Sequence, residues 1–311
     1  MAQYTILAIE EVLEILAQYD IKNISSYKVL SGGSENTNYL INAGDNKYVL
    51  TICEQKSEAK TRELALLLEH LEAHDFATSK IIRTVKNEPI VFWKDKPVMI
   101  KDFLEGKVVE NLSSHLLELI GKELGKLHKI EAPEYLPKQV SYGKEHFKNV
   151  EKYAANSPFD KWLKEKQKYL TPYFVLDLPK AIIHSDLFCD NVIISEDEKM
   201  VMIMDFEEAT YYYRIFDIGM SIIGLCKEDK KINLDKASFL LKGYQQEVEL
   251  LDVEVNALQA FTVYAGTAMT FWRHQNFNYT QPDSNLADHY LGLKVLADFV
   301  QEQAVDCFVK A

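Results

Sequence analysis

The sequence predicts an α+β fold in two lobes, a small antiparallel sheet followed by a larger, mostly helical part. Three observations predict it. Short alternating runs bounded by turn residues crowd positions 27–104. From Ser113 onward apolar residues recur at threes and fours, and they do so again through the last third. Between these two regimes lies a polar loop, His184-Ser185-Asp186-Leu187-Phe188-Cys189-Asp190-Asn191, entered and left by apolar strand-like runs. The boundary between the lobes falls after residue 105, giving 1–105 and 106–311 of a 311-residue chain.

Positions 7–19 carry Leu7, Ile9, Val12, Leu13, Ile15 and Leu16 among acids, a helical pattern that packs on the sheet that follows. Strands are expected at 27–30, 38–41 and 48–52. The first turn between them, Ser31-Gly32-Gly33-Ser34-Glu35-Asn36-Thr37, is small and polar, suited to lie over phosphates. Positions 57–73 predict a helix with Leu64, Leu67, Leu68 and Leu71 on one face and Glu63 within it. Two strands and a connecting hinge follow over Ile90-Val91-Phe92-Trp93 and the run from Pro97, ending at Gly106, so the first lobe is expected as about five strands with one helix against them.

A long helix is predicted from Ser113, with Leu116, Leu117, Ile120, Leu124 and Leu127 as its stripe and Pro133 beyond its end. Positions 134–175 have weak periodicity and predict short helices and loops. Arg214 to Leu225 reads as a buried helix with Asp217 near its start, and further helices are expected at about 234–249, 253–275 and 285–305.

Net charge is −12, which disfavours a nucleic-acid partner, since phosphate backbones call for Lys and Arg. Cys53, Cys189, Cys226 and Cys307 form no CxxC pair and no disulfide framework. The first residues have neither a basic segment nor a long apolar core, and no apolar run reaches the length of a membrane span. A cytoplasmic protein, monomer or homodimer, is the expectation.

Chemistry concentrates in the loop. His184, Asp186 and Asn191 are spaced H-x-D-x-x-x-x-N, and Asp205 closes the next apolar run, fourteen residues after Asn191. A carboxylate base, an amide oxygen and a second carboxylate on adjoining strand ends are the parts phosphoryl transfer requires. Asp186 is placed as catalytic base for an acceptor hydroxyl, while Asn191 and Asp205 offer hard oxygens that suit Mg²⁺. His184 reads as a residue that shapes the loop.

These residues, with Asp205-Phe206 and Phe216-Asp217-Ile218-Gly219, resemble the aminoglycoside phosphotransferase/choline kinase superfamily, a branch of the protein-kinase-like fold. Gly121-Lys122-Glu123-Leu124-Gly125-Lys126-Leu127-His128 resembles the helix that precedes the catalytic loop there. The likeness spans nearly the whole chain, and H-x-D-L-F-x-D-N-V with Asp205-Phe206-x-x-Ala209 is most similar to the homoserine kinases of this fold. It implies an ATP- and Mg²⁺-dependent kinase acting on a small-molecule hydroxyl acceptor that bears an amine, with L-homoserine foremost, and choline, ethanolamine, an aminoglycoside or methylthioribose as alternatives. A different class, a nucleotide-binding regulator that has lost catalysis, is favoured by Thr51 and Glu207, which stand where protein kinases carry a Lys and a Gly.

By the same resemblance, residues 1–105 form a nucleotide-binding lobe and 106–311 a catalytic and substrate-binding lobe. Gly32, Gly33 and Ser34 match the phosphate turn, Thr51 the third-strand position, Glu63 the helix acid, and Met99, Asp102 and Phe103 the adenine-binding segment. Asp217 matches a buried acid that braces the loop together with His184. With Thr51 in the lysine's place, Lys47, Lys56 and Lys101 are the candidate substitutes. For the acceptor, Asp190, Glu207 and Glu208 offer carboxylates to an ammonium, Arg273 offers a fork to a carboxylate, and Arg214 is the nearest other base. Phe271, Trp272 and Tyr211-Tyr212-Tyr213 would alternatively cage a quaternary amine.

Overall fold

In the computed structural model, which describes residues 5–30 and 36–304, the chain divides into two units, Met1–Glu105 and Gly106–Ala311. The turn that carries Gly32, Gly33 and Ser34 lies outside the described residues.

The first unit contains α1 (Ile9–Ala17), β1 (Ile24–Val29), β2 (Asn36–Ala43), β3 (Asn46–Cys53), α2 (Glu58–Ala73), β4 (Ile81–Ile82), β5 (Val91–Trp93) and β6 (Lys96–Asp102). The strands form one antiparallel sheet in the order β1-β2-β3-β6-β4, with β5 also on β6. Its six strands exceed the expected five because β4, only two residues long, is too short to leave a periodic signal. α1 starts where the Glu11 carboxylate accepts the Ala8 N–H at 2.8 Å. Its Val12, Ile15 and Leu16 pack on Tyr39, Ile41, Leu50, Ile52, Val98 and Ile100 of the sheet, as the pattern of positions 7–19 predicts. Each such side chain, fully buried, contributes roughly 1.5–3 kcal/mol. α2, capped by Ser57 Oγ, buries Leu64, Leu67, Leu68 and Leu71 and touches β4 and β6, so the sheet carries two helices rather than one.

The second unit runs through α3 (Ser114–Lys129), α4 (Val150–Tyr153), α5 (Pro158–Leu170), β7 (Lys180–Ile183), β8 (Val192–Ile194), β9 (Val201–Ile203) and β10 (Thr210–Tyr213). It continues with α6 (Arg214–Leu225), β11 (Lys227–Glu228), β12 (Lys231–Ile232), α7 (Leu234–Tyr244), α8 (Asp252–Gln275) and α9 (His289–Glu302). Ser113 caps α3, and its last turn carries Lys126, His128 and Lys129, the sign that complements a helix C-terminus. The thirteen residues of α5 exceed the short helices expected there; the signal is a cap, Ser157 accepting from Asp160 N at 3.1 Å, with Pro158 in the first turn. α7 ends at Tyr244, short of 249, and a π turn over Asn276–Thr280 follows α8.

Two features fix the frame of the catalytic loop. α3 and α7 meet backbone to backbone: a Cβ on Gly121 would lie 2.0 Å from the Leu240 carbonyl oxygen, and one on Gly243 would lie 2.0 Å from that of Glu118. α6 is tied to α8 by Arg214, whose Nε and Nη2 donate to the two carboxylate oxygens of Glu254 at 2.7 and 2.6 Å. Glu254 is fully buried, and the bidentate geometry offsets the cost of its desolvation. Arg214 is therefore a structural anchor and not an acceptor-binding base.

Candidate active site

Four short strands aim the loop. β7 pairs with β10 and β8 with β9, both antiparallel, so the chain leaves β7 at Ile183, traverses the loop, and returns through Asn191 into β8. Met204 N donates to Asn191 O at 3.0 Å, which sets Asp205, just past β9, beside the strand end that bears Asn191. Asp205 adopts a left-handed conformation at φ 67°, which Asp tolerates better than most residues.

Asp217 holds the loop from behind. Its Oδ2 accepts the backbone N–H of His184 and its Oδ1 that of Ser185, both at 2.7 Å. The same Oδ2 lies 3.2 Å from His128 Nε2, and His128 Nδ1 lies 3.0 Å from the Tyr244 hydroxyl. Asp217 and His184 are completely buried, so this is a fully paired carboxylate in a dry setting. His184 lies 2.8 Å from Met204 O through Nε2, while Nδ1 accepts the Asp186 N–H at 3.2 Å; the ring carries its proton on Nε2 and bridges the two strand ends. Ser185 sits at φ 67° with every polar group engaged. Its N–H goes to Asp217, its hydroxyl donates to Glu208 O at 2.8 Å, and its carbonyl accepts the Tyr142 hydroxyl.

The front of the loop is crowded with negative charge. Burial raises Asp186, and Asp205, Asp190 and Glu208 add to the rise, so its pKa reaches about 7 against an opposing pull from Arg273. Arg273, on α8, lies with Cζ 5.5 Å from the Phe188 ring, where burial lowers its pKa while Asp186 and Asp190 act to hold its charge. Asn191 Nδ2 donates to Asp186 O at 2.8 Å, leaving Oδ1 as the end of that amide available to a cation. Asn191 and Asp205 thus present two hard oxygens at adjoining strand ends. That set fits Mg²⁺, which takes one or two protein oxygens and keeps its waters. It does not resemble a dedicated metal cage, and among the described residues no group of three or more His, Cys, Asp or Glu is arranged as one.

The structure thus gathers Asp186, Asp190, Asn191, Asp205 and Arg273 on one side of the loop, and His184 and Asp217 on the other. Glu207 lies on the short turn Phe206–Glu208, and its neighbour Glu208 adds to the field on Asp186. The run Tyr211-Tyr212-Tyr213 belongs to strand β10; Tyr212 packs on Tyr213 and Phe216 in the core, which removes Tyr212 from an amine cage.

In the first unit, Thr51 is buried opposite Met99, with its hydroxyl donating to Asn38 Oδ1 at 2.8 Å. Glu63 pairs with Lys60 of its own helix at 2.7 Å, and Lys47 pairs with Glu105 at 2.7 Å beside the Phe103 ring. The Asp102 N–H donates to Lys80 O and the Phe103 N–H to Lys47 O, so both amides are already engaged. The Asp102 carboxyl is raised by burial.

Sequence reasoning missed three participants. His128 had a signal, a polar residue on the apolar stripe of α3. Tyr142 lies where periodicity is weak and had none. The three-way tethering of Ser185 depends on partners remote in sequence.

The sequence profile of the phosphotransferase enzyme family matches residues 26–246. A homoserine kinase of Agrobacterium fabrum is 29% identical over 284 residues, 88% of this chain and 86% of its own. One of Parvibaculum lavamentivorans is 30% identical over 282 residues, 87% and 86% of the two chains. Among solved structures, an amicoumacin kinase in complex with AMP-PNP and Ca²⁺ superposes with a TM-score of 0.73 at 17% identity, covering 96% of this chain and 95% of that one. A microcompartment-associated aminopropanol kinase gives 0.72 at 17% identity, covering 94% and 97%. These similarities establish a protein-kinase-like fold.

Proposed function

We propose that this chain, which belongs to the phosphotransferase enzyme family and is a kinase with an alcohol group as acceptor, transfers the γ-phosphoryl group of ATP to the hydroxyl of L-homoserine. The observation that carries the chemistry is the loop itself: Asp186 stands among three carboxylates on a backbone that Asp217 clamps through two adjacent amides. The homoserine kinases that align over most of this chain support the choice of acceptor. A product of that kind would place the enzyme in threonine biosynthesis.

In this reading Asp186 accepts the hydroxyl proton as the acceptor oxygen bonds to the γ-phosphorus and the bond to the bridging oxygen of ADP breaks. A base with a pKa near 7 suits proton transfer at neutral pH. Asn191 and Asp205 would hold Mg²⁺, which neutralises phosphate charge when bound. Arg273 pairs the substrate carboxylate, and Asp190 and Glu207 are the other residues of the acceptor site. His184 and Asp217 keep the loop in register. Residues 1–105 supply the nucleotide contacts through Gly32, Gly33, Ser34, Thr51, Glu63, Met99, Asp102 and Phe103, and the chain works in the cytoplasm as a monomer or homodimer.

The test is ADP release with Mg·ATP across L-homoserine, choline, ethanolamine, methylthioribose and several aminoglycosides, with Asp186→Asn as control. Turnover on homoserine that disappears in the variant, with nucleotide binding intact, is the expected result. Turnover on another acceptor alone would keep the reaction and replace the substrate. Nucleotide binding with silence across the panel would favour a regulator that has lost catalysis.

A further inference from the structure

The second unit contains a cavity of about 320 Å³ whose wall includes Glu208, Ser141, Asn149, Gln275, Phe271 and Trp272. It adjoins the catalytic loop. Tyr142, another wall residue, donates to Ser185 O, and the Glu208 backbone oxygen accepts the Ser185 hydroxyl. Glu208 is the carboxylate of this wall, and among the described residues no lysine or arginine lines it. The Ser141 hydroxyl donates to Glu208 Oε2, which fixes that carboxylate at the wall.

The chemistry of this wall suits one kind of ligand group. A carboxylate or phosphate would meet Glu208 with like charge, and the basic side chain it could turn to in this wall is the imidazole of His146. An ammonium would meet the Glu208 carboxylate, the amide groups of Asn149 and Gln275, and the rings of Phe271 and Trp272, all part of the wall. A primary ammonium can donate to those oxygens. A quaternary one cannot, and would leave them desolvated and unpaired. Arg273 follows Trp272 in α8 but turns its guanidinium to Phe188 and the field of Asp186 and Asp190. The two charges of an α-amino acid would then be read at separate places.

We propose that this cavity is the ammonium subsite of the acceptor and that Glu208 is a specificity-determining residue, selecting a primary over a quaternary ammonium. The inference rests on the reading above that the acceptor is an amine-bearing alcohol. It is tested on the full chain with Mg·ATP, using L-homoserine, 4-hydroxybutyrate (the same skeleton without the amine), ethanolamine and choline. 4-Hydroxybutyrate is followed as a substrate or as a competitive inhibitor against homoserine.

Glu208→Gln keeps an acceptor for Ser141 and removes the charge, which also eases the field on Asp186, so kcat is expected to change on every acceptor and the subsite is read from KM. The substitution is expected to raise KM for homoserine about 10- to 100-fold, with KM for Mg·ATP unchanged and the constant for 4-hydroxybutyrate unchanged or improved. Ser141→Ala, which leaves the charge in place, should cost far less. Wild-type enzyme should turn over ethanolamine in preference to choline. An equal rise in KM for homoserine and in the constant for 4-hydroxybutyrate, or choline used as well as ethanolamine, would overturn the subsite while leaving the kinase reading intact. No turnover of any amine-bearing alcohol by the wild type would overturn both.

Discussion

The two sides of the catalytic loop are built on opposite principles. Behind it, Asp217 is completely buried and satisfied by two backbone amides and His128. In front, Asp186 shares its surroundings with Asp205, Asp190 and Glu208, and Arg273 opposes their field. The first arrangement lowers the energy of the folded chain; the second raises it, in a form that a cation and a substrate can relieve. Two aspartates thirty-one positions apart in one unit are thus used for contrary purposes, and their partners tell which is which.

The sharpest way to break the contrast is to neutralise each side in turn. Asp186→Asn should reduce turnover by about 10²–10⁴-fold, the usual range for a positioned base, without weakening nucleotide binding. Steady-state kinetics beside a nucleotide titration measures both. Asp217→Asn should act through the fold, because an amide group then faces one of the two N–H donors. A loss of about 2–4 kcal/mol in a urea unfolding curve is expected, with turnover falling as the loop loosens.

The front should also declare itself in pH dependence. The folded pKa of Asp186, about 7, lies above the unfolded value of about 3.9. Between these values the folded state holds a proton that the unfolded state has released. Stability contributed by this group is therefore present below pH ~4, falls as pH rises toward ~7, and stays lost above. Without Mg²⁺, Asp186→Asn should have a higher Tm than wild type at pH 8 and a matching one at pH 4, by differential scanning calorimetry. A variant that melts lower at pH 8 would place the strain elsewhere. The smallest expected effect is Tyr142→Phe, which removes one hydrogen bond to the Ser185 carbonyl. It should cost about 1 kcal/mol and lower kcat more than it raises the acceptor KM.

Much of this division was legible in the sequence, for definite reasons. Asp186, Asn191 and Asp205 lie within twenty residues, so spacing and the flanking apolar runs carry them. Arg214 to Leu225 was legible to the residue because an apolar helix begins where a strand of tyrosines ends. What spacing cannot carry is long-range pairing. Arg214 read as a base for the acceptor until Glu254, forty residues on, claimed it. Tyr211-Tyr212-Tyr213 read as core before cage, and the strand pairing with β7 sends Tyr212 inward. Met99 to Phe103 read as a segment whose backbone meets adenine, and the bonds that engage the Asp102 and Phe103 amides, to Lys80 and Lys47, were not visible in one dimension. Two-residue β4 had no period to show.

The contact between α3 and α7 has a consequence for how this unit opens. Two helices whose carbonyls lie where a methyl group would stand cannot separate by a side-chain rotation; they part as whole backbones or not at all. His128 hangs from one of them and Tyr244 from the other, and through these the Asp217 clamp is attached to both. Deuterium should therefore enter the amides of 117–127, 237–244 and 183–186 with one common rate, as a single cooperative unit, and a bulkier residue at Gly121 or Gly243 should release all three segments together.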